Sequence, residues 1–255
     1  MGEKMNRELM AIYALWKREL IRFFRSKSRL VGSLGMPFFF LAILGTGLNS
    51  AFFIGGEGNY LQFLAPGIIG MVLMFGSIFS GVIVIMDRQF GFLKETLVAP
   101  VSRLSIVTGK ALGGATTAVI QGILIMVIAL LLGVQLQLAN IVLLLFFMFL
   151  ISTMFVSLGI AIASRMEDMH GFQLIMNFLI MPFFFLSGAF FPLSTAPELL
   201  RTLSLFDPLT YAVEGLRYLL TSSSEMAFGL SLTVVLGLTA GFMVLAMYMF
   251  NRIEE

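Results

Sequence analysis

Long stretches without a single Asp, Glu, Lys or Arg alternate with short basic gaps, and this alternation leaves few folds open. The charge-free stretches are 30–56, 58–86, 111–164, 169–197 and 226–251. A helix crosses a hydrocarbon core of about 30 Å with about 20 apolar residues. Four stretches therefore hold one span each, and 111–164 holds two, folded back near 133–140. The expected architecture is an all-α polytopic membrane protein with six spans, near 30–54, 60–86, 108–132, 140–164, 171–193 and 226–250.

The basic residues give a direction. Eight of the 16 Lys and Arg residues stand in 1–29, and Arg88, Lys94, Arg103 and Lys110 follow the second span. Arg165 follows the fourth span and Arg252 the sixth, whereas the intervening gaps hold only Arg201 and Arg217. Short Lys/Arg-rich loops stay cytoplasmic, so both termini are expected there, the second as a short tail at 252–255. Hydrophobic residues make up 59% of the chain and charged ones 12%, against about 45–50% and about 25% in soluble proteins. Cysteine is absent, which excludes disulfides and thiolate metal sites.

Segment 1–29 reads as an amphipathic helix lying on the membrane surface. Leu9, Ile12, Tyr13, Trp16, Leu20, Phe23 and Phe24 recur at three- and four-residue steps. Arg7, Lys17, Arg18, Arg22 and Arg25 fill the rest, a composition suited to an anionic leaflet. No acidic or basic side chain is expected mid-span, which argues against a proton-coupled carrier. Asn49, Gln62, Gln121, Gln173 and Asn177 are left as polar groups able to meet a substrate. The lone histidine, His170, reads as an interfacial side chain, and no cluster has metal-ligand or hydrolase spacing. Pro37 and Pro182 precede phenylalanine runs in the first and fifth spans, where kinked aromatic helices suit an apolar path. The small-residue pairs Gly237/Gly241 and Gly76/Ser80 are expected to let helices approach within the subunit.

Two segments carry a more specific signal. In the cytoplasmic gap 87–107, residues 90–99 are expected to form a short helix, with Phe90, Leu93 and Leu97 on one side and Pro100 as its stop. In 194–225, Thr195 and Glu198 have capping-box spacing, and Asp207-Pro208 reads as an N-cap followed by proline at the first helical position. Two short, largely apolar, re-entrant helices are expected, about 197–205 and 208–220. Glu198 with Arg201, and Glu214 with Arg217, are three apart and can pair.

These segments resemble the type-2 ATP-binding-cassette exporter permeases. The run from Asp87-Arg88 through Gly91, Glu95, Pro100-Val-Ser-Arg103 and Gly109-Lys110 is similar to that family's loop between spans two and three. The run from Ser187-Gly188 through Phe191-Pro192 to Asp207-Pro-Leu-Thr-Tyr211-Ala and Arg217 is similar to its signature before the last span, with Asp207 where Asn is usual. The resemblance implies a transport subunit without an ATPase site of its own. ATP and Mg would be held by a separate nucleotide-binding subunit, and no cofactor is expected on this chain. The chain carries no Gly-x4-Gly-Lys-Ser/Thr loop.

The resemblance further implies a coupling helix whose residues are Phe90, Gly91, Leu93, Glu95, Leu97, Pro100 and Arg103. It implies a homodimer in the lipid bilayer of a prokaryotic inner membrane, with no nucleic-acid partner. The expected path residues at the dimer seam are Phe38, Phe39, Phe183 and Phe184. The expected external gate comprises Glu198, Arg201, Asp207, Tyr211, Glu214 and Arg217. The aromatic lining favours export of a hydrophobic or amphiphilic compound. Alternatives are a lipid-linked polysaccharide permease and, from another class, an ATP-independent six-span channel or membrane scaffold.

Overall fold

The computed structural model describes residues 2–48, 59–137 and 139–253; at 2–4, 28–30, 94 and 97 it describes the backbone alone. Among the described residues all regular structure is helical. Helix α1 (Gly2–Arg25) turns at Ser26 into α2 (Lys27–Phe39), which continues through a π-helical turn, Phe40–Leu44, to Gly45–Gly47. Then follow α3 (Tyr60–Ser80), α4 (Val82–Gln89), α5 (Phe92–Val98), α6 (Arg103–Leu131) and α7 (Ile141–Ala163). The chain closes with α8 (Met169–Leu186), α9 (Glu198–Ser204), α10 (Pro208–Thr221) and α11 (Phe228–Asn251).

Among the described residues, five helical segments are long and apolar enough to cross a membrane: Tyr60–Gln89, Arg103–Leu131, Ile141–Ala163, Met169–Leu186 and Phe228–Asn251. The chain is a multi-pass membrane protein. The apolar part of α2, Val31–Gly47, is shorter, and the end of the expected first span, 49–54, lies outside the described residues, as does Asn49. The fifth span stops at Leu186 rather than near 193. Ser187 and Gly188 turn the chain there, and Gly188 takes φ 72°, a left-handed conformation that suits glycine.

Polar contacts tie the helices together at both ends of the bundle. At one end, rich in Lys and Arg and here termed the basic end, Arg88 donates to the Met166 carbonyl at 3.3 Å and Gln89 to that of Glu167 at 3.1 Å. Arg103 donates to the Asn251 carbonyl at 2.6 Å. At the far end the Gln62 amide pairs with the backbone of Gln135, so it is spent on a turn rather than left for a substrate. Gln137 N–H donates to the Leu220 carbonyl at 2.8 Å.

The core lies among α3, α6 and α7, where Leu64, Ile68, Leu73, Met74, Ile125, Phe147, Ile151 and Phe155 are fully buried. The break between α3 and α4 falls at Gly81, which lies against Gly159 of α7. A Cβ on Gly81 would stand 2.5 Å from the Gly159 carbonyl oxygen, and one on Gly159 equally close to that of Ile78. Such backbone contact is open only to glycine. Gly76 and Ser80 do pack within the subunit, on Gln121 and Gly114 of α6. Gly237 and Gly241 do not: both are exposed, with open space around them. The last helix presents its other face to α7, so the spacing suits close approach but the pair has no neighbour among the described residues.

Helix α1 does not merely lie on the membrane. It packs along α6, with Leu15, Glu19 and Phe23 buried and Trp16 Nε1 donating to Thr116 Oγ1 at 3.0 Å. Leu9, Tyr13 and Phe24 remain exposed. The apolar face therefore splits between a side packed on protein and an exposed side.

Candidate substrate cavity and coupling site

A cavity of about 660 Å³ opens between α1, α2, α3, α4, α6 and α8. Its lining on α3 and α4 runs from Met71 to Met86, about 20 Å of helical rise. The wall is aromatic and sulfur-rich: Met36, Phe40, Met71, Phe75, Phe79, Met86, Met181, Phe184 and Phe185. Phe184 organises it, with its ring centroid 4.5 Å from that of Phe190, 6.3 Å from Phe40 and 6.4 Å from Phe75, each edge-on. Such edge contacts suit the ring quadrupoles. The polar groups are few: Glu19, Ser33, Ser80, Thr117, Gln121 and Gln173.

Of the four residues expected along a path, Phe184 lines this cavity. Phe38 and Phe39 point outward from α2, Phe39 being 59% exposed, and Phe183 is half-buried against the core. Adjacent helical positions diverge by about 100°, so one run of phenylalanines serves both the cavity and the outer face. Gln121 and Gln173 line the cavity, whereas Asn177 and His170 are exposed.

At its basic end the cavity adjoins a buried group of four charges that the sequence reading missed. Asp87 of α4 is bound by Lys110 of α6 and by Arg18 of α1, the latter at 2.8 Å. Arg18 also reaches Glu19 at 3.1 Å. The group is neutral overall, two carboxylates against two cations. Lys110 and Glu19 are 5% and 4% exposed, so neither charge could be left there unpaired without heavy cost. Asp87, Lys110 and Arg18 come from three segments far apart in sequence, so no local motif announces them. Glu19 was legible: Ile12, Leu15, Glu19 and Phe23 follow steps of three and four, which places the carboxylate in the buried stripe.

The same arginine reaches the short helix α5. Its guanidinium lies 4.0 Å from the centroid of the Phe92 ring, a cation–π contact. Helix α5 starts later than the expected 90–99. Gly91 precedes it at φ 78°, so Phe90 falls outside the helix. Phe90 is exposed and Leu93 buried, and they do not share a face. The helix ends at Val98 and Ala99 is extended, as the residue before a proline should be. Glu95, Val98 and Pro100 face solvent; the Leu97 side chain lies outside the described residues. Beyond Pro100, Ser102 caps α6 and is itself held by Glu8 of α1, whose carboxylate accepts from the Ser102 N–H at 3.0 Å and hydroxyl at 2.8 Å. Arg103 is tied to α11 as above. Helix α1 thus grips both sides of α5.

The far end holds the expected gate residues in two groups. Asp207 caps α10, accepting from the Leu209 N–H at 2.9 Å and the Thr210 hydroxyl at 3.1 Å. Burial pushes its carboxyl up to about 7. Glu214 and Arg217 form a fully buried pair. Arg217 also donates to the Gly188 carbonyl at 3.0 Å and stacks 4.2 Å from the Phe63 centroid. Glu214 accepts from the N–H groups of Glu225 at 2.6 Å and Met226 at 3.1 Å. Tyr211 donates to the Leu205 carbonyl at 2.9 Å. Glu198 and Arg201 are both exposed and no ion pair joins them. The Thr195–Glu198 capping box does not form either. Pro197 holds the N-cap position, and the Thr195 hydroxyl turns back to the Pro192 carbonyl.

Residues 10–221 match the family model of the ABC-2 type transporter. The chain belongs to the ABC-2 type transporter family. A ycf38 transport permease of Cyanophora paradoxa is 33% identical over 85% of this chain and 76% of its own length. Nodulation protein J of Rhizobium leguminosarum bv. trifolii is 30% identical, over 80% of this chain and 79% of its own. The inner membrane transport permease YadH of Escherichia coli K12 is 26% identical, over 82% of each. This chain is accordingly a transport permease of the membrane. Its relatives occur in bacteria and in an alga, so a prokaryotic source is not a property of the family.

Proposed function

We propose that this permease is the membrane subunit of an ATP-driven exporter for hydrophobic or amphiphilic compounds. ATP and Mg are held by a separate nucleotide-binding subunit that seats α5. The basic end is cytoplasmic by the Lys/Arg asymmetry, and α2 is the first of six crossings. A second permease copy covers the outward apolar faces of α2 and α8, which present Met36, Phe39 and Ile43, and Leu174, Phe178 and Met181. The seam between copies then lies beside the cavity, since Met36, Met181 and Phe185 belong to both. The far-end helices α9 and α10 close the path on the outer side.

The observation that carries this reading is the direct join between α5 and the cavity. Arg18 touches Phe92 of α5 on one side and Glu19 of the cavity wall on the other. A push on α5 has a short, stiff route to the substrate. The aromatic and methionine wall favours an amphiphile over a polysaccharide, whose hydroxyls would find few partners there.

The test is Glu95→Arg with Leu97→Asp in the permease reconstituted with its ATPase. Substrate-stimulated ATP hydrolysis and ATP-driven transport should be lost while the unfolding temperature is kept. Unchanged ATP-driven transport would overturn the assignment of α5.

A further inference from the structure

We infer that the cavity selects amphiphiles carrying a positive charge, and that Glu19 is the residue that recognises it. The inference rests on the transport reading and adds the substrate's charge. Among the described residues lining the cavity, Glu19 is the sole ionisable side chain; no Lys, Arg or His is among them. Its stem crosses Gly113, where a Cβ would lie 2.7 Å from that of Glu19. Only a glycine at 113 lets the side chain reach the cavity floor.

The charges behind Glu19 decide the sign. Asp87 already has two cations, Lys110 and Arg18. Glu19 has only a share of Arg18. Arg22, one turn further along α1, donates to the Met86 sulfur at 3.0 Å rather than to a carboxylate, and it does not line the cavity. A cation arriving from the cavity can therefore take over Glu19 while Arg18 stays bound to Asp87 and stacked on Phe92. The four-charge group then remains fully paired. An anion entering the same space would meet the Glu19 carboxylate, and among the described residues no cationic side chain lines the cavity to offset it, in surroundings of low polarity where such repulsion is strong.

The remainder of the wall specifies the body of the ligand. Gln121 lies two turns along α6 from Gly114, about 10 Å deeper, and among the described residues no hydrogen bond engages its amide or that of Gln173. The Phe79 ring, against Phe172, stands nearer the Glu19 end, and the Phe75 and Phe184 rings stand level with Gln121 and beyond. The fitting ligand has a cationic head, one or two hydrogen-bonding groups near its middle, and an apolar or aromatic tail. Glu19 is a specificity residue in this reading, and Arg18 carries its occupancy to α5.

The experiment uses the full chain in nanodiscs of zwitterionic lipid and two fluorescent probes, dansylcadaverine, a primary amine, and its neutral N-acetyl derivative. The wild type should bind the amine at least about tenfold more tightly than the acetyl form, the usual scale of a charge-assisted hydrogen bond. Glu19→Gln should abolish that preference and leave the affinity for the neutral probe within about twofold; Glu19→Asp should restore part of it. Equal affinities in the wild type, a comparison that needs no variant, would overturn the inference. So would a Glu19→Gln variant that keeps its preference for the amine. Equal affinities together with intact ATP-driven transport of other compounds would remove the charge rule alone. Selective binding of the amine with no ATP-driven transport would instead remove the exporter reading and keep the site.

Discussion

Each end of this permease buries opposed charges, and the two sets are built in opposite ways. At the far end Glu214 and Arg217 are three residues apart on one helix, and every other bond they make goes to backbone: the Gly188 carbonyl and the Glu225 and Met226 N–H groups. At the basic end Arg18, Glu19, Asp87 and Lys110 come from three helices and bond mainly to one another. Backbone groups cannot rearrange without unfolding their segment, so the far pair is a clamp. Side chains that share partners can exchange them, so the basic group can change state at little cost. The same residue chemistry thus serves fixing in one place and, in the proposed transport cycle, signalling in the other.

The largest expected effect tests the clamp. Arg217→Ala should cost about 3–5 kcal/mol, because it strands a buried carboxylate. The double variant Glu214→Leu with Arg217→Met should recover little, since the Gly188 carbonyl and two N–H groups stay unpaired. Thermal unfolding in detergent measures both; near-complete recovery in the double variant would show that the backbone contacts contribute nothing and would erase the contrast.

The basic group should behave otherwise. Lys110→Met should cost about 1–3 kcal/mol, as Asp87 keeps Arg18. Adding Asp87→Leu leaves Arg18 and Glu19 as a neutral pair and should recover much of that loss, a coupling expected of residues that share partners. Simple additivity of the two losses would argue against a rearrangeable group. In the reconstituted complex both variants should lower substrate stimulation of ATP hydrolysis more than they lower stability.

A pH dependence sharpens the far end. The Asp207 carboxyl rises from 3.8 to about 7 in the fold. The folded state therefore binds a proton that the unfolded state releases. The stabilisation this gives is complete below pH 3.8 and fades as pH rises through about 7. Asp207→Asn keeps the cap on Leu209 and should flatten the unfolding temperature across that window. A pH dependence identical to that of the wild type would mean Asp207 does not titrate there.

Much of this was written in the charge-free stretches. Helices α3–α4, α6, α7 and α11 fill them with ends a few residues from where Asp87, Arg103, Arg165 and Arg252 stand, because a charge fixes where a helix may leave the hydrocarbon. The cap at Asp207-Pro208 was legible for a local reason: both residues act on their own turn. The capping box at Thr195 and the helix start at Phe90 were misread for the complementary reason. Pro197 and Gly91 dictate the backbone there and override spacing. The basic charge group stayed hidden because topology alone explains Arg18, Asp87 and Lys110 well enough, and their meeting depends on how α1 lies along α6. Nor could the phenylalanine runs be sorted, since successive rings on a helix face different neighbours.

The contact of Gly81 on Gly159 has a mechanical consequence. Backbone pressed on backbone leaves no side-chain layer to deform, and a close-packed interior stores little compression. Helices α3, α6 and α7 form a frame that can tilt but not flex. On the proposed reading of α5, motion delivered there would not be absorbed within that frame. It must emerge at the leaves hung on it, α2 and α8, one loosened by a π-helical turn and the other by Pro182. In the proposed transport cycle they are the doors of the cavity, and the paired glycines the post on which they would swing.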